Sequence, residues 1–204
     1  MSKIYKIAGM PITIWLVIIL FIIFMLEMFL PIKIMNLLVF VPYYSIKYPW
    51  TYVTSIFLDG NIYQLFFDGL ALFFLGIAFE YLYGSKNLII LFLLSGIFGN
   101  IAFFLQYFNS SLIGGLGSSG AISGILGALA ILKPKEKVII FPIIIPIDMI
   151  YAAIFWIIFN LVGLIYPFVP IGFSAHIGGT LFGMLYGYLL KKRLKKEDTI
   201  IIGQ

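Results

Sequence analysis

Two residues in this chain of 204 have the types needed for nucleophile-and-base chemistry. One is Ser119, in the run Gly114-Gly115-Leu116-Gly117-Ser118-Ser119-Gly120-Ala121-Ile122-Ser123-Gly124. The other is His176, the only histidine, in Phe173-Ser174-Ala175-His176-Ile177-Gly178-Gly179. A serine hydroxyl is a weak nucleophile until a neighbouring base takes its proton, and imidazole is the side chain best suited to that task near neutrality. Each residue opens an apolar stretch that runs to a cationic end, Lys133 for the first and Lys191 for the second. With both stretches helical and a rise of about 1.5 Å per residue, Ser119 stands roughly 21 Å and His176 roughly 22 Å from those ends, in a hydrocarbon layer of about 30 Å. The two are therefore expected level with each other, beneath one membrane surface. Other readings remain open at this point: small residues in membrane helices commonly serve packing, and an intramembrane histidine also suits a proton relay or a structural hydrogen bond.

The glycines decide how near the two helices can come. Gly179, Gly183 and Gly187 follow His176 at helical spacing, a single stripe along which a neighbouring backbone can pack closely. After Ser119, Gly120, Ser123, Gly124 and Gly127 cluster on one face, while Ile122, Ile125, Leu126 and Leu129 take the other. Contact between the small faces would bring hydroxyl and ring within hydrogen-bond reach. Ser119 also falls at a helix mouth with Gly117 and Ser118, where unpaired N–H groups and the positive end of the helix dipole favour developing negative charge.

Elements that hold such residues at depth require a bilayer. The chain is 63% hydrophobic and 10% charged, with a mean hydropathy of +1.14, too little polar surface to coat a soluble globule. The absence of cysteine excludes disulfides, thiolate metal sites and cysteine nucleophiles, and a single histidine excludes a multi-histidine metal centre. No metal or cofactor is expected. The net charge of +5 sits in short clusters beside apolar runs, so it reads as membrane anchoring and not nucleic-acid binding. Six apolar stretches, about 11–30, 61–83, 87–107, 117–132, 148–167 and 174–190, predict an all-α, polytopic six-helix bundle forming one domain over residues 1–204. The first lacks a small-residue cleavage site and reads as a retained helix. Residues 31–60, with Pro42, Pro49 and Trp50, are too broken to span and too apolar for a free loop, which predicts an interfacial element. Val138–Ile147, with Pro142 and Pro146, is expected to lie along the inner face.

Orientation follows from the cations. With the N-terminus inside, Lys3, Lys6, Lys86, Lys133, Lys135, Lys137, Lys191, Lys192, Arg193, Lys195 and Lys196 are cytoplasmic, against Lys33 and Lys47 outside. Both termini are then cytoplasmic and the Ser119 and His176 ends face out. The expected location is the cell membrane. Abundant Ile and Lys fit an AT-rich prokaryotic genome.

Taken together the motifs resemble those of the rhomboid intramembrane proteases. The resemblance rests on Gly117-x-Ser119-Gly120 opening the fourth helix, Ala175-His176-x-x-Gly179 opening the sixth, and Pro49-Trp50 leading to a second helix that ends Leu75-Gly76-x-x-x-Glu80, over about residues 45–190. It implies that Ser119 attacks a peptide carbonyl, that His176 takes its proton and returns it to the leaving amine, that no aspartate completes a triad, and that the substrates are transmembrane protein segments cut near their external ends. The family usually carries His-x-x-x-Asn on the second helix as oxyanion support; here Gln64 and Asp68 stand there, one turn apart on one face. Gln64 can donate an amide hydrogen bond. Asp68 is either a capping or water-facing carboxylate, or a neutral acid that donates to the oxyanion. Asp59 replaces another common histidine, Thr51 replaces an arginine after the tryptophan, and Ser123 stands where an aromatic commonly packs on the catalytic ring. Glu80 reads as structural. Glu27, Asp148 and Asn160 share no motif and receive no role. The competing functions are a non-proteolytic rhomboid-like protein that binds transmembrane segments, favoured by Gln64 and Asp68, and a proton-conducting transporter, for which no repeat is present. Metallo- and aspartyl proteolysis lack their His-Glu-x-x-His and Gly-x-Gly-Asp signatures.

Overall fold

Long apolar runs without breakers become helices because each backbone N–H and C=O is then bonded within its own segment, which hydrocarbon demands. The computed structural model of the protein describes residues 9–140, 143–167 and 171–202. Its helices are α1 (Ile12–Glu27), the short α2 (Ile32–Leu38), α3 (Ile62–Tyr83), α4 (Ser85–Gln106), α5 (Ser119–Leu132), α6 (Met149–Ile165) and α7 (Phe173–Ile202). α3 contains a π-helical turn at Leu72–Gly76. Of these, α3 and α4 are long and apolar enough to cross a membrane by themselves, and α1, α5 and α6 are shorter apolar helices. Large apolar side chains such as Phe66, Phe74, Leu105 and Ile165 are exposed on the outside, as a lipid solvent favours.

α5 is the hub: nearly every residue from Gly120 to Ala130 is buried, whichever way it points. Its seam with α7 is built on missing side chains. A Cβ on Gly179 would run into the Gly120 carbonyl, one on Gly183 into the Gly124 carbonyl, and one on Gly187 would approach the Ala128 carbonyl at 2.8 Å. Both helices advance four residues from contact to contact, so they run parallel and in step. That register sets their first turns, with Ser119 and His176, at one level.

Three regions carry more structure than the apolar stretches alone suggested. The protein is mostly helical, consistent with an all-α membrane protein, and within it Lys137–Ile140 (β1) and Ile143–Asp148 (β2) pair as a local antiparallel hairpin, with Lys137 opposite Asp148 and Val138 opposite Ile147. The β-branched run favours extended backbone, and Pro146 is tolerated because each strand of a two-stranded hairpin has a free edge. The last helix does not stop at residue 190 but continues to Ile202, since leucine, lysine and arginine are good helix formers and no breaker intervenes. Residues 31–60 are folded in detail, with helical turns at Pro42–Tyr44, Thr51–Thr54 and Ser55–Phe57. Pro142, Lys3 and Lys6 lie outside the described residues.

Two attachments matter for the site. Phe40 and Gly115 exchange backbone hydrogen bonds (3.0 and 2.7 Å), and Gly117 N–H donates to the Ser55 carbonyl at 2.9 Å, so residues 31–60 hold the loop that enters α5. Asn100 of α4 steadies that segment by donating to Tyr52 O and Ser55 Oγ, both at 2.9 Å. At the opposite end Glu80 is buried yet fully used: it accepts from Ile12 N, Thr13 N, Thr13 Oγ1 and Ser85 Oγ at 2.6–2.9 Å, capping α1.

Candidate active site

Ser119 is the first residue of α5 and His176 lies in the first turn of α7. Ser119 Oγ is 2.7 Å from His176 Nε2. The imidazole is 4% exposed, and its other nitrogen, Nδ1, is 2.7 Å from Asn160 Oδ1 on α6. Asn160 was visible in the sequence as a polar residue in an apolar span. Its role there was not, because a lone amide has no motif and its partner depends on how α6 is rotated.

An aromatic ring does pack on the histidine, though it does not come from α5. Trp156, one turn before Asn160, lies with its ring centroid 5.2 Å from that of His176 and an interplanar angle of 31°. The indole N–H donates to Ser123 Oγ at 2.9 Å, and Ser123 Oγ donates to the Ser119 carbonyl at 2.7 Å. The small residue at Ser123 therefore leaves room for the tryptophan and anchors it. Spacing along α6 explains how one helix supplies both groups: Ala153, Trp156, Asn160 and Gly163 form one stripe, and Gly163 lets the Phe173 ring lie against its backbone.

The other side of Ser119 is built by α3 and the segment before it. Gly117 has φ +129°, a region that side-chain-bearing residues rarely adopt, and the space a Cβ would need is filled by the Gln64 amide. Gln64 Nε2 donates to Leu116 O at 3.3 Å and keeps a second N–H. Ser118 is fully buried and its hydroxyl donates to Asp68 Oδ2 at 3.0 Å. The backbone N–H groups of Ser118 and Ser119 face the same carboxylate, so Asp68 stands in a capping position for α5, lent by another helix. Of the packing glycines, Gly120 faces the Ala175 carbonyl, Gly124 faces Ser95 and the Gly179 carbonyl, and Gly179 and Gly183 form the seam already described.

Behind Asp68 lies a further carboxyl. Asp59 is 1% exposed, and neither of its oxygens finds a donor among the described residues; it faces Asp68, while its own N–H donates to Glu27 Oε1 at 3.1 Å. Two buried carboxyls facing each other are short of a donor unless one of them holds a proton. Burial first, then the Asp68 and Glu27 carboxylates, push Asp59 from the ordinary range up to about 8. Sequence spacing gave no hint of this pair, because it depends on how the chain turns back before α3.

The apolar helical bundle and the serine–imidazole contact together define a class: a helical membrane protein with a candidate serine nucleophile at the mouth of a buried helix. The family model of the rhomboid domain matches residues 47–193, most of the chain, and the chain belongs to the rhomboid family, which is membrane-embedded. It is similar to mitochondrial rhomboid protein 1 of Saccharomyces cerevisiae, with 29% identity over 149 residues covering 71% of this chain and 43% of that protein. It is also similar to the rhomboid protease GluP of Bacillus subtilis, with 42% identity over 80 residues covering 39% of this chain and 15% of that one. The chain spans less than half the length of these curated relatives.

Proposed function

We propose that the protein is an intramembrane serine endopeptidase that cleaves transmembrane-helix substrates through Ser119 and His176. The observation that carries this reading is the 2.7 Å contact between Ser119 Oγ and His176 Nε2 at the mouths of two helices held in register. As Oγ attacks the scissile carbonyl carbon, the hydroxyl proton passes to Nε2; when the C–N bond breaks, the imidazolium returns it to the leaving amine. Water then attacks the acyl-serine, with His176 again as base, and frees the carboxylate product. Oxyanion support comes from the spare N–H of Gln64, joined by the Ser119 backbone N–H when Asp68 gives it up. No cofactor takes part.

In this reading the six long helices are all spans of one domain over residues 1–204 in the cell membrane. Both termini are cytoplasmic and the site opens to the external side. Two partners follow: the lipid bilayer and the transmembrane proteins that are cut. That one similar protein is named a rhomboid protease supports the reading at the level of a hydrolase. A second reading, a rhomboid-like protein that binds membrane helices without cutting them, is favoured by one observation: the Asp68 carboxylate faces the Ser119 N–H that an oxyanion would need.

The two separate on purified protein in detergent or liposomes. The protease labels at Ser119 with a fluorophosphonate or isocoumarin and cleaves a labile transmembrane substrate, and Ser119→Ala abolishes both. Cleavage that survives Ser119→Ala overturns the mechanism; a folded preparation that does not label supports the binding protein.

A further inference from the structure

Asn160 is fully buried on α6 and makes two hydrogen bonds that leave its amide no freedom of orientation. One end is 2.7 Å from the Trp156 carbonyl oxygen, which can only accept, so that end is the NH₂ group. The carbonyl end, Oδ1, therefore faces the imidazole at 2.7 Å from Nδ1. An amide oxygen can only accept, so Nδ1 must carry the ring proton. In the neutral ring Nε2 is then left with a lone pair, directed at Ser119 Oγ 2.7 Å away.

From this chain of donors and acceptors we propose that Asn160 is a positioning residue that fixes His176 as the Nδ1–H tautomer, so that Nε2 is available as the base. The inference rests on the proteolytic reading for its catalytic consequence, but not for its structural content. The chemistry explains why an amide is found at this place and depth. A carboxylate would orient the ring equally well but would bring a charge into an apolar span. Asn160 does the orienting while staying neutral, and it stabilises the transient imidazolium only as a dipole. Trp156 belongs to the same device: its carbonyl sets the amide, its indole face covers the ring, and its N–H is anchored through Ser123 to the Ser119 carbonyl.

Because the chain has a single histidine, ¹⁵N-labelled histidine in otherwise unlabelled protein reports this ring alone. In the wild-type protein in detergent near neutral pH, Nδ1 is expected to be protonated and Nε2 unprotonated. Asn160→Leu, close in size and unable to accept, should lose that preference and lower kcat by about 10- to 10³-fold, less than the roughly 10⁴ seen where a carboxylate holds the ring, with KM nearly unchanged. Asn160→Asp tests the same geometry without an apolar replacement. Protonated or ionised, one carboxyl oxygen can still accept from Nδ1, so Asn160→Asp should keep the Nδ1–H tautomer that Asn160→Leu loses; loss of that tautomer in both variants alike would overturn the proposal.

A wild-type ring protonated at Nε2 overturns the proposal even if Asn160→Leu fails to fold. So does Asn160→Leu that keeps both the Nδ1–H tautomer and wild-type kcat. If Ser119 proves not to label, the protease reading falls while the tautomer measurement still decides the role of Asn160.

Discussion

The two sides of Ser119 are built on different rules. On the histidine side, each polar atom of His176, Asn160, Trp156 and Ser123 that points inward has a partner of the right kind, and the links run in one direction from Ser119 to the Trp156 carbonyl. On the α3 side acceptors are in excess: Glu27, Asp59 and Asp68 share few donors, and both Asp59 oxygens lack one. The first arrangement is complete without added protons. The second is complete only when the acid pair holds one. The contrast separates a part of the site whose geometry is set by the fold from a part whose hydrogen bonding is set by pH.

The largest expected effect strikes both sides together. Gly183→Ile places a branched side chain where the Gly124 carbonyl already lies. A backbone carbonyl within a helix cannot move aside, so the cost should exceed the roughly 1–3 kcal/mol of ordinary overpacking. Far-UV circular dichroism should remain helical while the unfolding temperature drops and fluorophosphonate labelling disappears; a variant that labels normally would mean the seam does not set the pair.

Asp68→Asn sharpens the comparison by turning an acceptor into a donor on the deficient side. A full oxyanion donor is worth about 10²–10³ in kcat, and one that must also hold Ser118 should deliver less, so kcat at neutral pH is expected to stay equal or rise by up to about 10-fold. A fall of about 10-fold or more would assign the carboxylate itself a necessary role, most simply in holding Ser118.

The smallest effect is on pH dependence. Asp59 ordinarily titrates near 3.8 and is raised to about 8 in the folded protein. Below about pH 4 both states hold the proton. Between about pH 4 and 8 the unfolded chain has lost it while the folded chain keeps it, so folding takes up a proton and stability falls as pH rises through that window. Asp59→Asn should flatten this decline in thermal unfolding measured from acidic to mildly basic buffer. An unchanged slope would show that Asp59 is not the group responsible.

What the sequence made legible follows the same division. Helix positions could be read because apolar length and flanking lysines are local properties. The level of Ser119 and His176 could be read because rise per residue is a constant of helices. Asn160 and Trp156 could not, since which face of α6 meets α7 depends on packing angle, which no spacing within α6 encodes. The Asp59–Asp68 contact stayed hidden because it depends on how residues 31–60 fold back, and those residues carry no periodicity. The hairpin at Lys137–Asp148 was obscured by its prolines, which rule out a helix without announcing a strand.

The seam between α5 and α7 also fixes an order of events. Ser119 leaves the ribosome well before His176, and until α7 has been made and packed against α5, the serine has no imidazole beside it. Asn160 and Trp156, made between them, wait on the same helix for their ring. In the proposed mechanism, a nascent chain whose hydroxyl is already in the membrane gains its base only when α7 is inserted and packed against α5.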